Sequence, residues 1–174
     1  MKKIVVIGPE STGKSTLCMD LSSCFQITSV PEYARVYLES NGAEYTYQDV
    51  LNMIYGQLKS ERIFIEENGG NPFIILDTNY ITYKVWIQEK YKREEPLIEE
   101  LLKIDDYTHY LLCDVDIPWK HDPLREHPNT QDRQRLFSAY KSILMVNDLP
   151  FSVVKGNRQE RLEIAKNIVN KLKS

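Results

Sequence analysis

Long hydrophobic runs are missing from this sequence. No apolar stretch approaches the roughly 20 residues that cross a bilayer, so a membrane is not an expected partner. An excess of positive charge is missing too: 22 Lys and Arg stand against 25 Asp and Glu, a formal net charge of −3. Such a chain has no general attraction for nucleic acid or anionic surfaces. Cysteine is scarce, and the spacing of Cys18, Cys24 and Cys113 fits neither a zinc site nor a disulfide framework. All three are expected as small hydrophobes in a reducing cytoplasm. The apolar start at residues 4–7 is too short for a signal peptide. Repeats and low-complexity tracts are absent. A length of 174 residues suits a single domain, 1–174, with a substantial core.

Against these absences one stretch stands out. Gly8-Pro9-Glu10-Ser11-Thr12-Gly13-Lys14-Ser15, then Thr16, reads G-x-x-x-x-G-K-S. It follows the apolar run Ile4-Val5-Val6-Ile7 and precedes a helical pattern, the strand–loop–helix context of a phosphate-binding loop. Glycines at both ends permit backbone conformations that side chains resist. The N–H groups can then turn inward to phosphate oxygens, helped by the positive end of the following helix. Lys14 is placed to reach the β- and γ-phosphates of ATP, and the Ser15 hydroxyl to ligate Mg²⁺. No Asn-Lys-x-Asp guanine motif and no Leu-Ser-Gly-Gly-Gln signature occurs, which argues against a GTPase and an ABC-type ATPase.

The rest of the chain alternates. Strands are expected at 3–7, 26–30, 73–76, 107–113 and 151–154. Helices are expected at 14–24, 33–39, 47–68, about 80–90, 96–103, 130–147 and 159–173. Thr46 with Asp49 forms a capping box, Pro96 suits a first helical position, and Thr130 opens a long helix. The unbroken run at 73–76 suits a strand covered on both faces. The pattern specifies an α/β, three-layer P-loop NTPase fold: a five-stranded parallel sheet with helices on both faces. The order 2-3-1-4-5 follows by analogy with nucleoside and nucleotide kinases.

Ligands of such sheets sit at the carboxyl ends of the strands. There the sequence places Glu32, Tyr33 and Arg35, then Asp77 with Asn79, then an irregular segment with Arg125 and Arg133, then Asn157 and Arg158. Asp77 is a candidate Mg²⁺ ligand. The next residue is Thr78 rather than the glutamate that orients water in hydrolytic ATPases, which favours transfer to an acceptor. Glu32 is a candidate general base, with Asp77 as its rival. Arg35 either pairs with Glu32 or binds substrate. Residues 114–135 have the length of a lid whose cations, Arg125, Arg133 or Arg135, close over a transferring phosphoryl group. His121 and His127 are expected as surface residues of that lid. Asn157 and Arg158 either bind the adenine or simply turn the chain. Tyr33, Tyr55, Tyr83, Trp86 and Tyr91 offer faces for a flat acceptor, although Tyr83 and Trp86 have the spacing of packing residues.

The glycine-bounded loop, Pro31-Glu32-Tyr33-Ala34-Arg35, Leu76-Asp77-Thr78-Asn79, Asp116-Ile117-Pro118-Trp119 and Asp122-Pro123-Leu124-Arg125 together resemble the kinase domain of NadR-type proteins, a ribosylnicotinamide kinase. The resemblance spans nearly the whole chain. It implies transfer of the ATP γ-phosphate to the 5′-hydroxyl of nicotinamide riboside. It also implies Mg²⁺, acceptor recognition near Glu32, Tyr33 and Asp77, and lid arginines at Arg125 and Arg133. Pro31 stands where an aromatic is common in the family, and Asn79 where a second acid is common. The adenylyltransferase and DNA-binding functions of fused NadR proteins are not implied. A kinase for another nucleoside or small alcohol, and a regulatory ATP-binding module, are the other readings the residues allow.

Overall fold

A computed structural model describes residues 1–124 and 126–173. Strand β1 (Lys2–Ile7) runs through the middle of the sheet, because its residues 4–7 are apolar on both faces and all are buried. It pairs in parallel with β3 (Phe73–Asp77) on one side and β4 (His109–Cys113) on the other. The short β2 (Ser29–Val30) joins β3, and β5 (Phe151–Val154) joins β4, again in parallel. The order is β2-β3-β1-β4-β5, as the analogy implied.

Side chains of β1 alternate between two cores. Ile4 and Val6 pack with Leu17 and Leu21 of α1 (Lys14–Phe25) and with Ala165 and Val169 of α7 (Arg158–Lys173). Val5 and Ile7 face the larger core, to which α2 (Tyr33–Asn41), α3 (Tyr47–Glu67), α4 (Tyr80–Tyr91), α5 (Pro96–Lys103) and α6 (Thr130–Val146) contribute. Helices therefore cover both faces. Among the described residues no helix is long and apolar enough to cross a membrane. Cys18 and Cys113 are buried and Cys24 is exposed, so only the first two match the expected burial.

Local chemistry explains the element ends. The Thr46 hydroxyl accepts from Asp49 N–H while the Asp49 carboxylate accepts from Thr46 N–H at 2.8 Å, the expected capping box. β2 is shorter than the expected 26–30 because Gln26 ends α1 in a left-handed conformation and donates its N–H to Ser22 O. Asn129, rather than Thr130, caps α6 by accepting from Gln131 N–H at 2.8 Å. Because all five strands are parallel, the connections at 8–13, 31–32, 78–79, 114–129 and 155–157 gather at one edge of the sheet.

Candidate active site

The loop after β1 is held open by its glycines. Gly8 has φ 141°, and a Cβ there would lie 2.7 Å from Cys113 O of the neighbouring strand, a distance no side chain tolerates. Gly13 at φ 77° stands at the start of α1 with no side-chain cap. The first-turn N–H groups of α1 are thus left for an outside acceptor. Inside the loop the Thr12 hydroxyl donates to Pro9 O at 2.7 Å, and Lys14 Nζ donates to the same carbonyl at 2.9 Å. That second bond parks the ammonium across the mouth of the loop.

Two carboxylates approach from neighbouring strand tips. Asp77 is 5% exposed and its Oδ1 has no hydrogen-bond partner among the described residues. Burial raises its pKa, against the pull of the Lys14 charge and the Ser15 hydroxyl. A buried, unpartnered carboxylate oxygen beside a hydroxyl suits a hard cation such as Mg²⁺, which takes most of its remaining ligands from water and phosphate. Among the described residues no three His, Cys, Asp or Glu side chains form a metal cage. Glu32 stands at the start of α2 without capping it. It lines a cavity of about 120 Å³ with Ser11, Ser15, Arg35 and Trp86, and also a larger one of about 290 Å³ with Trp86, Glu89 and Tyr140. A third cavity, about 310 Å³, lies beyond the loop against Gly13, Thr16, Lys120 and Arg158.

The segment 114–129 is fastened to the phosphate loop. Ser11 Oγ accepts from Lys120 N–H at 2.8 Å, and the Glu10 carboxylate accepts from Glu126 N–H at 3.0 Å and from His127 N–H. His127 Nδ1 lies 3.6 Å from Glu10, with Glu89 on its other side. The Glu10 contact raises the His127 pKa above its ordinary value despite partial burial, and Glu126 and Glu89 add to it. Burial pushes Glu10 up, but the His127 side chain and the two N–H groups outweigh it, leaving Glu10 below the usual glutamate range. His127 is therefore half-buried and ion-paired, not the surface residue expected. Arg35 donates to Asp122 of the same segment at 2.7 Å and to Glu39 at 3.4 Å, where the sequence offered Glu32 or substrate as its partner.

The expected residues divide by what the fold makes of them. Lys14, Ser15, Glu32, Arg35 and Asp77 converge at the strand tips. Glu10, Pro9 and Ser11 line the cavities beside them. Arg133 is 2% exposed and donates to Ser11 O at 3.1 Å and Ile117 O at 3.2 Å, so its described contacts are main-chain carbonyls. Arg135 pairs with Glu89 and Asp132. Arg125 lies outside the described residues. The Asn79 amide is spent within the fold: Oδ1 accepts from Ile81 N–H and Nδ2 donates to Tyr110 OH, both at 3.1 Å, and the residue is 1% exposed. The Tyr33 ring packs on Gly56 of α3 and near Tyr37, and lines neither cavity beside Glu32. Asn157 caps α7 by accepting from Gln159 and Glu160 N–H at 3.0 and 3.1 Å, while Arg158 pairs with Asp20 at 2.6 Å. Of the five aromatics singled out in the sequence, Trp86 is the one that lines both Glu32 cavities. It stacks at 10° on Tyr83 and donates to Tyr45 OH at 2.7 Å, which donates in turn to Glu126 at 2.9 Å. Tyr45, Glu89, Glu126 and Tyr140 carry no local motif and could not be found from sequence alone.

Comparison with known proteins places this geometry. The AAA domain family matches residues 3–161. The trifunctional NAD biosynthesis/regulator protein NadR of Salmonella typhimurium is 28% identical over 159 residues, covering 89% of this chain and 38% of that protein. Its Escherichia coli counterpart is 27% identical over 155 residues, covering 87% and 37%. The chain thus spans less than two fifths of these curated relatives. Among solved structures, a NadR protein in complex with NR superposes with a TM-score of 0.76 at 22% identity, covering 98% of this chain and 51% of that one. Deoxyadenosine kinase from M. mycoides with bound dATP superposes at 0.64 and 16% identity, covering 98% and 100%. At these identities the two structures establish a shared fold.

Proposed function

The chain belongs to the AAA domain family, and on that premise we propose that it is an ATP-dependent kinase for the 5′-hydroxyl of nicotinamide riboside, yielding nicotinamide mononucleotide. The observation that carries this reading is the double placement of Glu32. Glu32 borders both the cavity that opens on Ser11 and Ser15 and the larger cavity walled by Trp86 and Tyr140. An alcohol bound in the larger cavity meets a base and the phosphate loop at one point.

In this mechanism the loop N–H groups and Lys14 hold the triphosphate, Lys14 exchanging Pro9 O for phosphate oxygens. Ser15 and Asp77 would hold Mg²⁺, which would neutralise charge on the phosphates. Glu32 accepts the proton of the attacking hydroxyl as its oxygen bonds to the γ-phosphorus, and the bond from that phosphorus to ADP breaks. Residues 114–135 act as the lid that excludes water, with Arg133 anchoring it. The cavity beyond Gly13 and Thr16, beside Arg158, takes the adenine. Glu10, Glu32, Glu89 and Glu126 line the Trp86 cavity together with Lys90 and His127, an acidic balance after those pairings that leaves the Trp86 ring beside Glu32 to receive a flat cationic ring. The similarity to NadR supports the same acceptor.

The test is ADP release from Mg-ATP with a panel of nucleosides and small alcohols. Release that depends on nicotinamide riboside supports the proposal. Dependence on another acceptor, or tight ATP binding with no acceptor-dependent release, assigns the site to another kinase or to a regulatory nucleotide-binding module.

A further inference from the structure

A loop that turns its N–H groups inward must turn carbonyls outward, and buried carbonyls need donors. Thr12 is fully buried, and its carbonyl accepts from Arg161 Nη1 at 2.8 Å. The same guanidinium donates from Nε to Gly156 O at 2.7 Å, from Nη2 to Asp114 O at 3.0 Å, and to the Asp116 carboxylate. Asp116 closes the circuit by accepting from Gly156 N–H at 2.5 Å. Arg161 itself is 4% exposed. One planar group with five donors thus joins the phosphate loop, the root of segment 114–129 and the turn between β5 and α7. Gly13 of the loop, Ile117 and Lys120 of the segment, and Arg158 just after the turn wall the 310 Å³ cavity, which Arg161 also lines.

We propose that Arg161 is a positioning residue for the nucleotide: it holds the Thr12 carbonyl outward and fixes the distance between the phosphate cradle and the neighbouring cavity. The inference rests on reading that loop and cavity as the nucleotide site. It does not depend on which acceptor is phosphorylated. Lysine cannot replace this arginine, because a single ammonium cannot reach acceptors on three segments at once.

The experiment measures Mg-ADP affinity by titration calorimetry, together with thermal melting and acceptor affinity, for the full chain and R161K. The expected result is a rise in the Mg-ADP dissociation constant of at least about tenfold, the equivalent of one lost charge-assisted bond. Acceptor affinity should change less than about twofold, since Arg161 lines neither Glu32 cavity. A purely structural role would lower the melting temperature and leave the Mg-ADP constant of the folded protein within about twofold, and that result would overturn the proposal. Should R161K be insoluble, D116N decides: weakened Mg-ADP binding upholds the proposal and unchanged binding refutes it. Wild-type protein that fails to bind Mg-ADP refutes the nucleotide site and this inference together. Wild-type protein that binds Mg-ADP but phosphorylates no acceptor removes the kinase reading and leaves Arg161 in its role.

Discussion

Gly56 offers a test in which propensity and packing predict opposite signs. It sits inside α3, where alanine is ordinarily more stable than glycine by about 1 kcal/mol. With nothing nearby, G56A would raise the melting temperature of a chain this size by about 2–4 °C. A Cβ at Gly56, however, would lie 2.0 Å from Tyr33 Cε1 and 2.4 Å from both Cδ1 and Cζ. Carbon contacts settle at about 3.5–4.0 Å, so the ring must move by more than about 1 Å. Its backbone is not free to follow, because Tyr33 N–H donates to the buried Gln57 Oε1 at 2.8 Å. Overpacking of this kind costs about 1–3 kcal/mol, so the net change is a loss of up to about 2 kcal/mol and the melting temperature falls. Tyr33 follows Glu32 directly, so the acceptor KM should rise while Mg-ADP affinity holds. Calorimetric melting and steady-state kinetics of G56A check both. A melting temperature raised by about 2–4 °C, with unchanged acceptor KM, would refute the packing argument.

Two other perturbations separate stability from function. D77N removes a carboxylate whose pKa is raised by burial, so the folded state should become more stable while turnover falls by about 10²-fold or more; paired melting and rate measurements test this. The second concerns His127, which faces Glu10, Glu89 and Glu126, with Arg135 and Lys90 paired to the latter two. Its folded pKa is raised, so its contribution is complete below its ordinary value of about 6.5 and disappears as pH rises through the raised value. Hydrogen-exchange protection of the Glu126 and His127 amides, both donated to Glu10, should therefore be greatest below about pH 6.5 and decline as pH rises through the raised value, and H127Q should flatten that profile. A flat wild-type profile would show that the contact does not hold the segment 114–129 to the phosphate loop.

The alternation of strands with helices and the glycine-bounded loop were legible because their signals are local, whereas the order of the strands in the sheet came by analogy. A glycine pair at fixed spacing, four apolar residues before it and a helical period after it are all within 20 residues of one another. The placement of Asp77 was legible for the same reason, as the charge that ends an unbroken apolar run. What lay beyond reach was long-range. Arg161 reads as an ordinary helix charge until the fold carries it to Thr12, 149 positions away. Glu10 reads as a filler position of the loop until its carboxylate meets the His127 N–H. The resemblance placed Tyr33 near the acceptor, and Asn79 was grouped with Asp77 as a candidate substrate contact at the same strand end. Neighbours in sequence point in different directions, and helix packing claimed one ring while helix capping claimed the other amide.

The central claim is that this loop and the Glu32 carboxylate pass a phosphoryl group to a riboside hydroxyl. Incubation with Mg-ATP and nicotinamide riboside, resolved by mass spectrometry, tests it most directly when wild type and K14A are compared. The account predicts one riboside monophosphate for each ADP formed by the wild type and none from K14A. ADP formed without a phosphorylated riboside, or product that survives K14A, would contradict it.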